Sequence, residues 1–140
     1  MAAAQWCIEG LREAMDALFK TAATPEILEI ILFSNNFAIA DDTVKSDLTE
    51  ITTDGGEKIT LTKASFAAAT DADPGVSRWN STTGAVWNVT GDLTVYGWAI
   101  RGATSGKIWM ARNWGVNTFG DGDTITVQPL DLKFDIPEAA

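Results

Sequence analysis

The sequence has no histidine, one cysteine and four prolines among 140 residues, and each shortage removes a class of chemistry or construction. Without histidine there is no side chain whose ordinary pKa places proton transfer near neutral pH, and no imidazole to hold a metal. The lone Cys7 has no partner for an intrachain disulfide and no second thiolate for a zinc cage, so stability has to come from packing. Cations are scarce too: ten Lys and Arg stand against nineteen Asp and Glu, a net charge of -9. Such a chain displaces few counterions from a phosphate backbone, so nucleic acid is not expected as a partner. Long apolar runs are missing. The longest, Ile27 to Phe33, is interrupted by Glu29 and is far shorter than the ~20 apolar residues of a membrane span, so no membrane is expected either. Residues 1–15 lack the basic start and apolar stretch of an export signal, which predicts synthesis in a cytoplasm.

What remains is ordinary globular material, 46% hydrophobic and 21% charged, in a length that suits one domain with a real core. The first 20 residues read as an amphipathic helix. Trp6, Leu11, Ala14, Met15, Leu18 and Phe19 recur at three- and four-residue steps, with Glu9, Arg12, Glu13 and Asp16 on the other face. Gly10 weakens that helix by about 1 kcal/mol relative to Ala. Thr24-Pro25 ends it, which divides the chain into a helix at 1–22 and a β domain at 23–140.

Alternation and turn residues place strands at Ile27 to Phe33, Glu57 to Thr62, Ser77 to Asn80, Ala85 to Thr90, Leu93 to Arg101 and Lys107 to Trp114. Between the first two, residues 37–53 form a long loop in which Asp41, Asp42, Thr43, Val44, Leu48 and Ile51 read as a short capped helical turn. The last strand, Thr124 to Ile136, changes phase. Ile125 and Val127 lie on one parity, Leu130, Leu132, Phe134 and Ile136 on the other, so a bulge or a crossing between sheets belongs at Gln128-Pro129. Short strands at roughly ten-residue spacing predict a mainly β fold, an antiparallel β-sandwich of jelly-roll-like form with an N-terminal amphipathic helix.

Motifs of chemistry are few. Gly102-Ala103-Thr104-Ser105-Gly106-Lys107 imitates a phosphate loop, but it is one residue short between the glycines and Ile108 replaces the metal-binding hydroxyl; a hairpin turn is the expectation. Asp71, Asp73, Asp121 and Asp123 sit in turn sequences, where a carboxylate bonds its own backbone. A cation at these acids and a glycoside-cleaving pair are the rival readings. Asn80 and Asn88 head glycosylation-like triplets that mean nothing without export. The chain is therefore expected to have no catalytic residue, no cofactor and no bound metal. Five of the six tryptophans, Trp79, Trp87, Trp98, Trp109 and Trp114, fall in the strand region as core fillers, interface anchors or sugar platforms. Trp98 and Trp109 are expected to face each other across the hairpin.

The hairpin sequence Thr94 to Ile100, its Gly/Thr/Ser turn and Lys107 to Arg112, followed by Gly120 to Val127, resembles a pattern in small virion proteins of tailed bacteriophages. Ile27 to Phe33 and Leu48-Thr49-Glu50 look similar to the upstream part of that pattern. The resemblance implies a β-sandwich of the virion: a capsid decoration, or cement, protein that binds the assembled shell. Its partner would be the major capsid protein, and it would form a homo-oligomer, a trimer where the lattice offers threefold sites. The alternative it leaves open is a tail or neck accessory that binds host carbohydrate through the tryptophans. The candidate interface is the stripe Trp6, Leu11, Met15, Leu18 and Phe19, with packing on the chain's own sheet as the competing reading.

Overall fold

The computed structural model describes residues 5–10, 27–61, 76–78, 84–128 and 131–133, and their regular structure is mainly β. The strands are β1 (Gln5–Trp6), β2 (Leu28–Phe33), β3 (Ile59–Leu61), β4 (Val76–Arg78), β5 (Ala85–Asn88), β6 (Leu93–Gly102), β7 (Ile108–Phe119), β8 (Thr124–Val127) and β9 (Asp131–Lys133). A five-stranded sheet runs β1-β7-β6-β2-β3, and every neighbouring pair is antiparallel. Two ladders, β5–β8 and β4–β9, complete the described pairing.

The apolar run of β2 explains its place near the centre of the sheet. Every residue from Leu28 to Phe33 is buried, so both faces of the strand are covered and a strictly alternating sequence is not required. On one face Leu28, Ile30 and Leu32 join Val95, Trp98 and Ile100 of β6, together with Ala85, Trp87, Ile125 and Val127 of the β5–β8 ladder. On the other face Ile31, Phe33, Ala99, Ile108 and Ala111 are covered by Leu48, Phe37 and Ile39 from the loop after β2 and by Cys7. Trp87 stays in the core because its indole N–H donates to the Glu57 carbonyl at 2.7 Å.

The hairpin is where the sequence says, with two irregularities. Ile100 pairs with Met110 and Arg101 with Ile108, so Trp109 is an extra residue in β7. That bulge puts Trp109 and Met110 in the same core cluster. The register overturns the expected cross-strand pair: the turn's own register would set Ala111 opposite Trp98, and the bulge moves that partner to Arg112. Farther out, Val95 pairs with Asn117 and Gly97 with Asn113, which inserts a second bulge around Gly115 at φ +87°. The second bulge lets β7 run on to Phe119, beyond the Trp114 boundary expected from sequence.

Two other expectations are modified. Trp6, placed on a helix by its spacing, lies in β1 opposite Met110; the β7 edge offers ladder partners, and Cys7 N donates to the Trp109 carbonyl at 2.9 Å. Helical backbone begins just after, at residues 8–10, and the rest of the expected helix lies outside the described residues. The long terminal strand does divide. β8 pairs with β5 and β9 pairs with β4, with the break between Val127 and Asp131. The expected helical turn is a 3-10 turn, Lys45–Asp47, where the Asp47 carboxylate accepts from Val44 N at 2.9 Å.

Candidate functional site

The strongest concentration of buried charge is a cluster on the second face of the sheet. Glu29 and Arg101 are cross-strand partners on β2 and β6, 3% and 6% exposed. Arg101 Nε donates to Glu29 Oε1 at 2.7 Å, and its Nη1 donates to the Glu50 carboxylate. Lys58 approaches Glu29 Oε2 at 3.3 Å from the exposed rim. Two carboxylates and two cations thus balance. Burial works against the Arg101 charge, but hydrogen bonds and attraction from Glu50 and Glu29 outweigh it and raise its pKa above the ordinary value. A guanidinium that never releases its proton cannot serve as an acid or base here. The cluster ties Glu50, next to the loop at 34–49, to the central strands, and its chemistry is that of a clamp.

Sequence reading passed over this cluster. The signal was present in Glu29, one acid inside the longest apolar run, and in Arg101, one cation ending an apolar strand. A charge at a fully buried strand position requires an opposite charge nearby. Which charge answers it depends on the β2–β6 register and on the return of the loop at Glu50, neither of which is local.

Of the candidate interface residues, Trp6 is held by backbone pairing in β1, while Leu11, Met15, Leu18 and Phe19 lie outside the described residues. Cys7, which follows Trp6 in the chain, is fully buried, and its thiol lies 3.8 Å from the Ala40 carbonyl. Burial, followed by the negative charges of Glu9, Asp41 and Asp42, pushes the Cys7 thiol up to about 11. A thiol so held is a poor nucleophile at neutral pH.

Trp87, Trp98 and Trp109 are buried, at 3%, 3% and 7% exposed, and serve as core. Rings so covered have no free face for a sugar. Trp114 is partly buried against the same cluster, and Trp79 lies outside the described residues. Asp123 acts within its own turn: Oδ2 accepts from Gly120 N at 2.7 Å. Asp121 is exposed in that turn, whereas Asp71, Asp73 and Asn80 lie outside the described residues. Among the described residues no group of three or more Cys, Asp or Glu is placed to hold a metal.

The phosphate-loop imitation closes the β6–β7 hairpin. Gly102 N donates to the Lys107 carbonyl at 3.0 Å and Gly106 N to the Gly102 carbonyl at 2.9 Å, so these donors turn inward. A phosphate loop needs such groups facing a ligand. A shallow cleft of about 420 Å³ lies beside this tip, with Glu9, Lys45, Ser46, Ser105 and Lys107 on its walls. It mixes both signs of charge. Comparisons of the chain with protein-family models, with curated proteins and with solved structures found no match.

Proposed function

We propose that the chain is a structural protein of a tailed-phage virion, a decoration protein that binds the assembled capsid shell and stabilises it. In this reading the β5–β8 and β4–β9 ladders form the second layer of a sandwich against the five-stranded sheet. The observation that carries the proposal is the hairpin β6–β7. Its Gly-aromatic strand, short turn and second strand, followed by the Gly-Asp turn into β8, correspond to the pattern that resembles such proteins. The use of Trp87, Trp98 and Trp109 as packing residues favours a shell-binding module over a sugar-binding one. Binding many copies to the assembled state, and not to free subunits, shifts shell stability by mass action. The major capsid protein is the partner, and a homo-oligomer, a trimer at threefold positions, is the form that binds.

The contact surface includes Leu11, Met15, Leu18 and Phe19. Deleting residues 1–20 is unsuitable as a test, because it also removes β1 and the buried Cys7 from the fold. The test adds purified wild-type protein and a Leu11→Ser/Met15→Ser/Leu18→Ser variant to undecorated capsids, scoring occupancy by electron microscopy and the temperature of DNA release. Wild-type protein should occupy ordered lattice positions and raise that temperature, and the variant should bind less while keeping its β spectrum. Empty lattices under saturating wild-type protein would sink the proposal.

A further inference from the structure

The loop at 34–49 is built as a unit of its own. Its two ends meet, since Phe33 and Glu50 form a β-bridge and Ser34 N donates to the Thr49 carbonyl at 2.9 Å. Asn35 closes the base with its side chain, donating to the Asp47 carbonyl at 2.8 Å and accepting from Thr49 N at 2.7 Å. Within the loop, Thr43 Oγ1 accepts from Ala40 N and Asp47 Oδ2 accepts from Val44 N, both at 2.9 Å. A compact loop with joined ends and internal bonds is an Ω-loop, near the upper end of their size range. Its ties to the remaining structure combine apolar contacts with a few hydrogen bonds from two segments. Phe37, Ile39 and Leu48 pack on the sheet, Ile8 N donates to the Asp41 carbonyl, the Cys7 thiol lies 3.8 Å from the Ala40 carbonyl, and the Asn113 side chain donates to the Phe37 carbonyl at 2.8 Å and to Asn36 Oδ1 at 3.2 Å. Beneath it lies an apolar floor of Ile31, Phe33, Ala99, Ile108 and Ala111, and the Cys7 thiol.

We propose that residues 34–49 form a lid that lifts as one body about the Phe33–Glu50 base and uncovers this floor. Lifting breaks the floor contacts and the bonds to Ile8, Cys7 and Asn113 but leaves the internal hydrogen bonds and the rest of the sheet intact, so it costs less than global unfolding. The ion pair between Glu50 and Arg101 keeps the base in place while the lid moves. Because Asp41 accepts from Ile8 N, lifting also frees the N-terminal segment from one of its ties. The proposal rests on the fold and is independent of the capsid reading.

Cys7 is the chain's one thiol and lies under the lid, so its modification reports lifting. The experiment follows the reaction of the full chain with Ellman's reagent at pH 8 across a urea series. In wild-type protein the rate should be flat at low urea and steep only where global unfolding sets in. Phe37→Ala should speed the flat phase roughly tenfold through lost floor contact, and Ile39→Ala, a smaller change on the same lid, should speed it less. Ile125→Val, on the opposite face of the sheet, should lower the urea midpoint and leave the flat phase unchanged. A wild-type rate with the full urea slope of global unfolding from the outset overturns the lid. So does a Phe37→Ala rate equal to wild type, which would mean that the N-terminal segment frays alone.

Discussion

At the residue scale, Arg101 and Cys7 carry the sharpest consequences of burial. Arg101→Met leaves Glu29 enclosed without its strongest partner, and the expected loss is about 3–5 kcal/mol in urea unfolding. Removing the charge at both positions, Glu29→Leu with Arg101→Met, should recover most of that loss, because the desolvated carboxylate is gone. Recovery of nothing would mean that the guanidinium matters for its packing and not for its charge. Lys58→Ala, at an exposed rim, should cost under about 1 kcal/mol. The Cys7 thiol gives a pH signature. Its pKa in the folded chain, about 11, exceeds its ordinary 9.0, so the folded state holds a proton that the unfolded state has released between those values. That stabilisation is complete below pH 9 and is lost as pH rises through 11, a fall on the order of 2–3 kcal/mol. Cys7→Ala should flatten this part of the stability profile, and an unchanged profile would overturn the assignment to the thiol.

At the element scale, the hairpin β6–β7 is governed by two irregularities that alter which residues meet. Gly97 sits where the strands approach closely: a Cβ there would strike the Arg112 carbonyl and lie 2.6 Å from Phe33 Cζ. Gly97→Ala therefore forces the two strands apart and should cost several times more than Gly115→Ala. At Gly115 nothing lies within 4 Å of an added Cβ, so that change meets only the penalty of φ +87°, about 1 kcal/mol. Thermal melts of the two variants decide the matter, and equal losses would show that backbone strain and not close approach sets the hairpin's demands. The outer bulge is held by side chains: Asn113 Oδ1 accepts from Gly115 N at 2.8 Å and Asn117 Nδ2 donates to the Gly115 carbonyl at 3.3 Å. Such a bulge interrupts a regular edge and disfavours unplanned strand addition there.

At the scale of the whole molecule, the charge of -9 acts against every association of like copies. The proposed oligomer must join through apolar surface while its acidic faces repel. Raising salt from about 20 to about 300 mM shortens the screening length from roughly 20 Å to under 8 Å, so self-association should strengthen. Sedimentation velocity at the two salt concentrations measures it. Dissociation at the higher salt would place ion pairs, not apolar contact, at the interface.

Composition and periodicity by themselves determined that the chain is mainly β without an intrachain disulfide, with a hairpin at 94–113, a helical turn in the loop after β2 and a break near Gln128. These are local matters: alternation, turn chemistry and parity act within a few residues, and the strands appear where they call for them. The Asp123 turn was legible for the same reason. The tertiary structure alone decided that Trp6 enters a strand, because the β7 edge that recruits it lies about a hundred positions away in sequence. It alone decided that Trp98 meets Arg112, since one inserted residue shifts the register beyond it. The Glu29–Arg101–Glu50 clamp and the lid over Cys7 follow from the same cause. Both depend on which strands become neighbours, and that choice is made by burying two faces of one sheet at once.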